Sequence, residues 1–144
     1  MKNEVESRTI DHQSRAKSTL LELRIVENGA IFLLHKDILK FGTDNKPRHF
    51  ALCPNVENIN DNFFQVHPCT SQFRKDKAIF QFDLRSETNT NINSSKKTCL
   101  FFNIIRNIQY LDYSIISASK KGKLNNETYL RYLTEKKEYI QSNY

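Results

Sequence analysis

Residues 46–54 read K-P-R-H-F-A-L-C-P, and residues 65–72 read Q-V-H-P-C-T-S-Q. Each holds an apolar run of strand length beside a proline, so the pair predicts two β-strands. H-F-A-L-C at 49–53 reads as a buried strand ended by Pro54. N-V-E-N-I-N-D-N at 55–62 reads as a turn region, and F-F-Q-V-H at 63–67 as a strand stopped by Pro68. Arg48 stands at the mouth of the first strand, and Thr70 and Ser71 lie just past the end of the second. Two strand termini can bring a guanidinium and a hydroxyl into one pocket. That pairing suits a phosphodiester, because arginine offers a fixed fork of donors to phosphate oxygens.

Working outward, A-I-F-Q-F-D-L at 78–84 alternates as a strand, with Ile79 or Phe80 inward depending on register. T-C-L-F-F-N-I-I at 98–105 is the most apolar strand candidate, and Y-S-I-I-S-A at 113–118 follows as another. Upstream, L-L-E-L-R-I-V at 20–26 and A-I-F-L-L-H at 30–35 flank Asn28-Gly29, a hairpin signal. A continuous helix over 16–26 is the competing reading. D-I-L-K-F at 37–41 alternates, and G-T-D-N-K-P-R at 42–48 makes a polar loop. Residues 85–97 form a long Asn/Ser/Thr-rich loop. Leu124-Asn125-Asn126 opens a terminal helix, in which Tyr129, Leu130, Leu133 and Ile140 recur at helical spacing. Short strands followed by one helix predict a mostly β chain, a small antiparallel barrel or curled sheet. The organisation predicted is an N-terminal extension over 1–27, helical or partly ordered, and a barrel domain with its helix over 28–144.

A chain of 144 residues is long enough for one core, and ten Phe and six Tyr supply bulk for it. The net charge of +6 favours polyanionic partners. In 1–27, Lys2, Arg8, Arg15, Lys17 and Arg24 balance Glu4, Glu6, Asp11, Glu22 and Glu27, so the excess lies in 28–144. Cys53, Cys69 and Cys99 form no C-x-x-C pair and read as reduced core thiols of a cytoplasmic protein. The start M-K-N-E-V-E-S-R is too polar for a signal peptide, and no apolar run reaches the roughly 20 residues of a bilayer span.

The four histidines, His12, His35, His49 and His67, show no zinc-ligand spacing, and the acidic residues show no metal motif. No nucleophile elbow, P-loop or dinucleotide fingerprint occurs, so no metal or cofactor is expected. Arg48, His49, His67, Thr70 and Ser71 remain, with Lys46 beside them. RNA can be cut without a metal, because its 2′-hydroxyl attacks the adjacent phosphorus. The protein then supplies a base, an acid and charge stabilisation for the phosphorane. At strand ends the same residue types are also ordinary surface residues.

The segment pair resembles the MazF/PemK family of toxin endoribonucleases from toxin–antitoxin systems. That family carries Arg-Pro before a strand and a P-x-T-S motif at the end of a later one. Here Arg48-His49 precedes F-A-L-C, and Pro68-Cys69-Thr70-Ser71 follows F-Q-V-H. N-I-I-R-N-I at 103–108 is similar to the family's Q-I-R-T-V-D strand, and K-K-G-K-L-N-N-E-T-Y-L-R-Y-L at 120–133 to its G-x-L-S-x-E-x-L helix start. The resemblance spans about 37–140. The chain departs from the pattern at His49, where proline is expected and where Lys46-Pro47 offers an alternative alignment. It departs again at Gln109, in place of an acidic residue, and at Lys36-Asp37, in place of Gly-Asp.

The resemblance implies an SH3-like barrel with a C-terminal helix, a homodimer, single-stranded RNA as substrate and an acidic antitoxin as partner. It makes Arg48 the candidate acid and phosphate stabiliser and Thr70 the transition-state donor. His49, His67 and Asp44 are candidates for the base. Lys46, Ser71, Gln72, Arg74, Lys75 and Lys77 would line the RNA groove. Two rival readings keep part of this. One is a non-catalytic, gyrase-poison-like or RNA-binding module on the same fold. The other is an interaction protein whose P-C-T-S run is coincidental.

Overall fold

A computed structural model describes residues 15–55, 63–71, 79–84, 87, 97–110 and 113–142. The elements in chain order are a helix over 15–22 (α1), β1 (Ala30–His35), α2 (Lys36–Leu39), β2 (Arg48–Leu52), β3 (Phe63–Thr70), β4 (Ile79–Asp83), β5 (Lys97–Phe101), β6 (Arg106–Gln109), α3 (Tyr113–Ser119), β7 (Lys120–Lys123) and α4 (Asn126–Ser142). The fold is mostly β. One seven-stranded sheet runs β4-β5-β3-β2-β1-β7, with β6 also on β3, and every pair is antiparallel. The sheet curls into a half-barrel, and α4 closes the chain's C-terminal end.

Both faces of the sheet are covered, which is why β1 is apolar almost throughout rather than alternating. Ala30, Phe32 and Leu34 join Ala51, Phe64 and Val66 in one core, closed by Ala16 and Leu20 of α1, Leu39 of α2 and Ile116 of α3. Ile31 and Leu52 face the other way, into a second core with Phe80, Phe82, Leu100, Phe102 and Tyr132 of α4. Ala16, Leu20 and Val26 thus pack into the first core with the strands.

Several sequence expectations change here. The Asn28-Gly29 hairpin does not form, because 20–26 is no strand. α1 ends in a Schellman turn: Arg24 takes a left-handed φ of 55°, its N–H donates to Leu21 O (3.1 Å), and the Ile25 N–H donates to Leu20 O (2.9 Å). The Ala30 N–H then donates to Glu27 O (3.0 Å), and Gly29 at φ +81° turns the chain into β1. Residues 37–41 are not a strand either. His35 caps one helical turn by accepting from the Asp37 N–H (3.2 Å), and Lys40 ends it in a left-handed conformation.

β3 runs through Pro68 to Thr70 rather than stopping there. On one side β3 pairs with β6 as far as Val66 and with β5 from Cys69, so the missing N–H of Pro68 falls where its partner changes. Residues 113–118 are helical: Ile116 alone of α3's aliphatics turns into the core, while Ile115 stays half-exposed. β7 was not foreseen; it is a short Gly-containing strand pinned by Lys120 to Glu27 (2.6 Å) and to Arg24 O.

α4 forms, but it buries a different face. Tyr129, Tyr132 and Tyr139 pack inward, whereas Leu130, Leu133 and Ile140 are exposed. Aromatic rings bury more area than leucine, and tyrosine's hydroxyl can reach a buried polar partner. Of the 85–97 loop, only Glu87 and Lys97 are among the described residues. Among those residues, no helix is long and apolar enough to cross a membrane.

Candidate functional site

The register that sets Ala51 against Pro68 carries the start of β2 alongside the end of β3. Thr70 in turn sits across from Cys99 of β5. A cleft of about 210 Å³ opens where these three strands meet. It is lined by Lys46, Arg48, His49, Thr70, Ser71 and Thr98, over a floor that includes Leu33 and Phe50. Arg48 is exposed at the first position of β2, and Thr98 is buried. The sheet thus brings Lys46, Arg48, His49, Thr70 and Ser71 together. Gln72, Arg74, Lys75 and Lys77 lie outside the described residues. Thr98 and Leu33 were missed from sequence, since a threonine opening a strand and a leucine inside one look structural.

His49 is held by two contacts. Its Nδ1 lies 2.9 Å from the Cys69 carbonyl, and its ring meets Phe41 edge-on at 5.1 Å. A carbonyl can only accept, so Nδ1 donates, and in the neutral ring Nε2 keeps a lone pair. That Nε2 is buried and has no hydrogen-bond partner among the described residues. The 41–47 hairpin covers it: the Thr43–Lys46 bridge closes the turn, and a Cβ on Gly42 would sit 3.0 Å from Nε2. With φ +109° and no side chain, Gly42 is what lets the hairpin pass over the ring.

His67 is not brought to the cleft. It is fully buried, with Nδ1 on the Ile104 carbonyl (2.9 Å) and Nε2 on the Tyr132 hydroxyl (2.8 Å). Burial is the main cause that pulls its pKa down to about 4. Both nitrogens are occupied and the ring stays neutral, so His67 belongs to the core and not to a proton shuttle. Asp44 is also elsewhere, exposed and paired with Lys36 at 3.2 Å. Of the three base candidates, His49 alone lines the cleft.

The cysteines supply no nucleophile. All three are free and buried, and burial pushes the Cys53 thiol up to about 12 and raises Cys69 and Cys99 as well. Among the described residues, no group of three or more His, Cys, Asp or Glu could hold a metal ion. No protein-family model and no curated protein matches the chain.

Proposed function

We propose that this chain cleaves single-stranded RNA through the RNA's own 2′-hydroxyl, as a toxin ribonuclease of the MazF/PemK kind on an SH3-like barrel. One observation carries the reading. Two strand termini about twenty residues apart set a guanidinium, an imidazole and hydroxyls around one cleft. The curled antiparallel sheet with its terminal helix supports the fold assignment.

In this reading Nε2 of His49 takes the proton of the 2′-hydroxyl as its oxygen attacks phosphorus. Arg48 and the Thr70 and Ser71 hydroxyls stabilise the charge on the phosphorane's non-bridging oxygens. The P–O5′ bond breaks, and the leaving alkoxide is basic enough to take a proton from the Arg48 guanidinium. The products are a 2′,3′-cyclic phosphate and a 5′-hydroxyl. The attacking group belongs to the substrate, so the steps call for no metal. This reading requires the 41–47 hairpin to lift from Nε2 for RNA to reach it, and it gives Lys46 on that hairpin the backbone phosphate. The same reading carries a homodimer, an acidic antitoxin and a cytoplasmic location.

Incubation of the purified protein with single-stranded RNA in EDTA tests it. Cyclic-phosphate and 5′-hydroxyl ends should form, and Arg48→Ala and Thr70→Ala should each slow cleavage about 10²–10³-fold. The covered Nε2 favours a second reading, a non-catalytic RNA-binding module. RNA bound tightly but left intact would select that reading and overturn the enzyme.

A further inference from the structure

Arg48 lines a second cleft as well as the first. The neighbour is larger, about 390 Å³, and shares Leu33 and Arg48 with the phosphate-sized cleft. One wall is β1, with Leu33 and His35; the opposite wall is α3, with Ser114, Ile115 and Ala118; Lys121 of β7 stands at its side. A helix appears here only because 113–119 folds away from the sheet, so this wall could not be foreseen from a strand reading of that segment.

The lining joins an aliphatic surface to a few polar and cationic groups. Ile115 is half-exposed and, with Leu33 and Ala118, presents an aliphatic surface against which a flat ring can lie. Asp37 occupies Nδ1 of His35 through its N–H (3.2 Å) and its carboxylate (3.3 Å), which leaves Nε2 to meet a base edge. Ser114 can both donate and accept, and Lys121 adds a cation beside a polyanion. Cavities that bind small ligands run from about 300 to 1,000 Å³, a range that includes this cleft. The smaller cleft falls below that range and suits the phosphate with its hydroxyl contacts.

We propose that the second cleft is a nucleobase subsite, holding the base of a nucleotide that adjoins the cleaved phosphodiester and so selecting the sequence cut. The proposal rests on the ribonuclease reading, since a base is placed in this cleft only if the RNA phosphate sits on Arg48. A single strand laid across Arg48 puts its phosphate in one cleft and the neighbouring base in the other. The shared arginine fixes their register. Sequence preference then arises from His35 and Ser114 reading the base edge, while Ile115 gives contact that any base can make.

The test uses the full chain and single-stranded RNA oligonucleotides, intact or with an abasic residue beside the cleaved bond. For the wild type, removing the base on one side should lower kcat/KM about tenfold or more. Ile115→Asp, at a half-exposed position, should lower cleavage of the intact oligonucleotide by a similar factor and be insensitive to the missing base. Ser114→Ala should change which base is preferred at that position while cleavage persists. An Ile115→Asp variant that stays as sensitive to the missing base as the wild type would overturn the subsite while leaving the nuclease standing. If the variant instead loses only the protection given by an acidic peptide, the cleft holds a protein segment and the proposal fails. A wild type that cleaves no oligonucleotide would remove both readings together.

Discussion

Two histidines on adjacent strands show how far one side-chain chemistry can diverge within this sheet. His49 and His67 each direct Nδ1 at a backbone carbonyl at 2.9 Å, which fixes the same tautomer in both. The difference lies at Nε2. Around His67 the second core supplies Tyr132, whose hydroxyl closes the last valence at 2.8 Å and whose ring packs between Phe80 and Phe102. Beside the Nε2 of His49 lies the Gly42 hairpin, and among the described residues this nitrogen has no hydrogen-bond partner. A saturated, dry imidazole holds a core together. The Nε2 of His49, buried under the hairpin without a hydrogen-bond partner among the described residues, is the nitrogen on which the proposed reaction rests.

The comparison breaks most severely at Tyr132. Tyr132→Ala opens a cavity at the junction of α4 with the sheet and should cost about 3–5 kcal/mol in denaturant unfolding. Tyr132→Phe keeps the ring but leaves His67 Nε2 unpaired, at a cost of about 1–3 kcal/mol. Cleavage per folded molecule should be unchanged in the Phe variant. Equal stability of the Phe variant and the wild type would mean that the hydrogen bond to His67 contributes nothing.

Acid should separate the two regions next. Unfolded, His67 takes up its proton near pH 6.5; folded, it resists until about 4. The unfolded state therefore binds more protons in between. The contribution is fully present above about pH 7 and is lost as pH falls through that window. It amounts to roughly 3 kcal/mol, with no further loss from this group below 4. Urea midpoints measured from pH 7.5 to 4 should drop accordingly, and a substitution of His67 that retains the fold should flatten the curve.

How much of this could be read from the chain follows from where each interaction is encoded. β2 and β4 announce themselves as apolar runs and form close to their expected places, whereas the run expected as a strand over 98–105 is strand only as far as Phe101 and turns after it. α1 answers to the competing helical reading of 16–26 and not to the strand reading of 20–26; its stop stayed illegible because it is Arg24 in a glycine-like conformation, which residue type does not signal. α4's periodicity is legible but ambiguous, since leucines and tyrosines repeat on adjacent stripes and only the sheet decides which is covered. Lys46, Arg48, His49, Thr70 and Ser71 could be grouped because their strands are neighbours in sequence. His67 could not be told from His49, because its partner Tyr132 is 65 residues away. Thr98 and the α3 wall likewise depend on contacts between segments that are not neighbours in the chain.

A smaller change sharpens the His49 side. Gly42→Ala places a methyl 2.9 Å from His49 Cδ2 at a φ of +109°. We expect a loss of about 1–3 kcal/mol, from strain and displacement of the ring or hairpin. Cleavage should fall with it, whereas an alanine at the exposed Asn45 on the same turn should leave both nearly unchanged.

The most direct measurement is the single-turnover rate of RNA cleavage in EDTA for His49→Gln and His67→Gln, each normalised to the folded fraction. With His49 as the base, His49→Gln should be slower by about 10²–10⁴-fold, and His67→Gln should cleave at close to the wild-type rate per folded molecule. Equal rates for His49→Gln and the wild type, or a loss confined to His67→Gln, would contradict the division between a working cleft and a silent core.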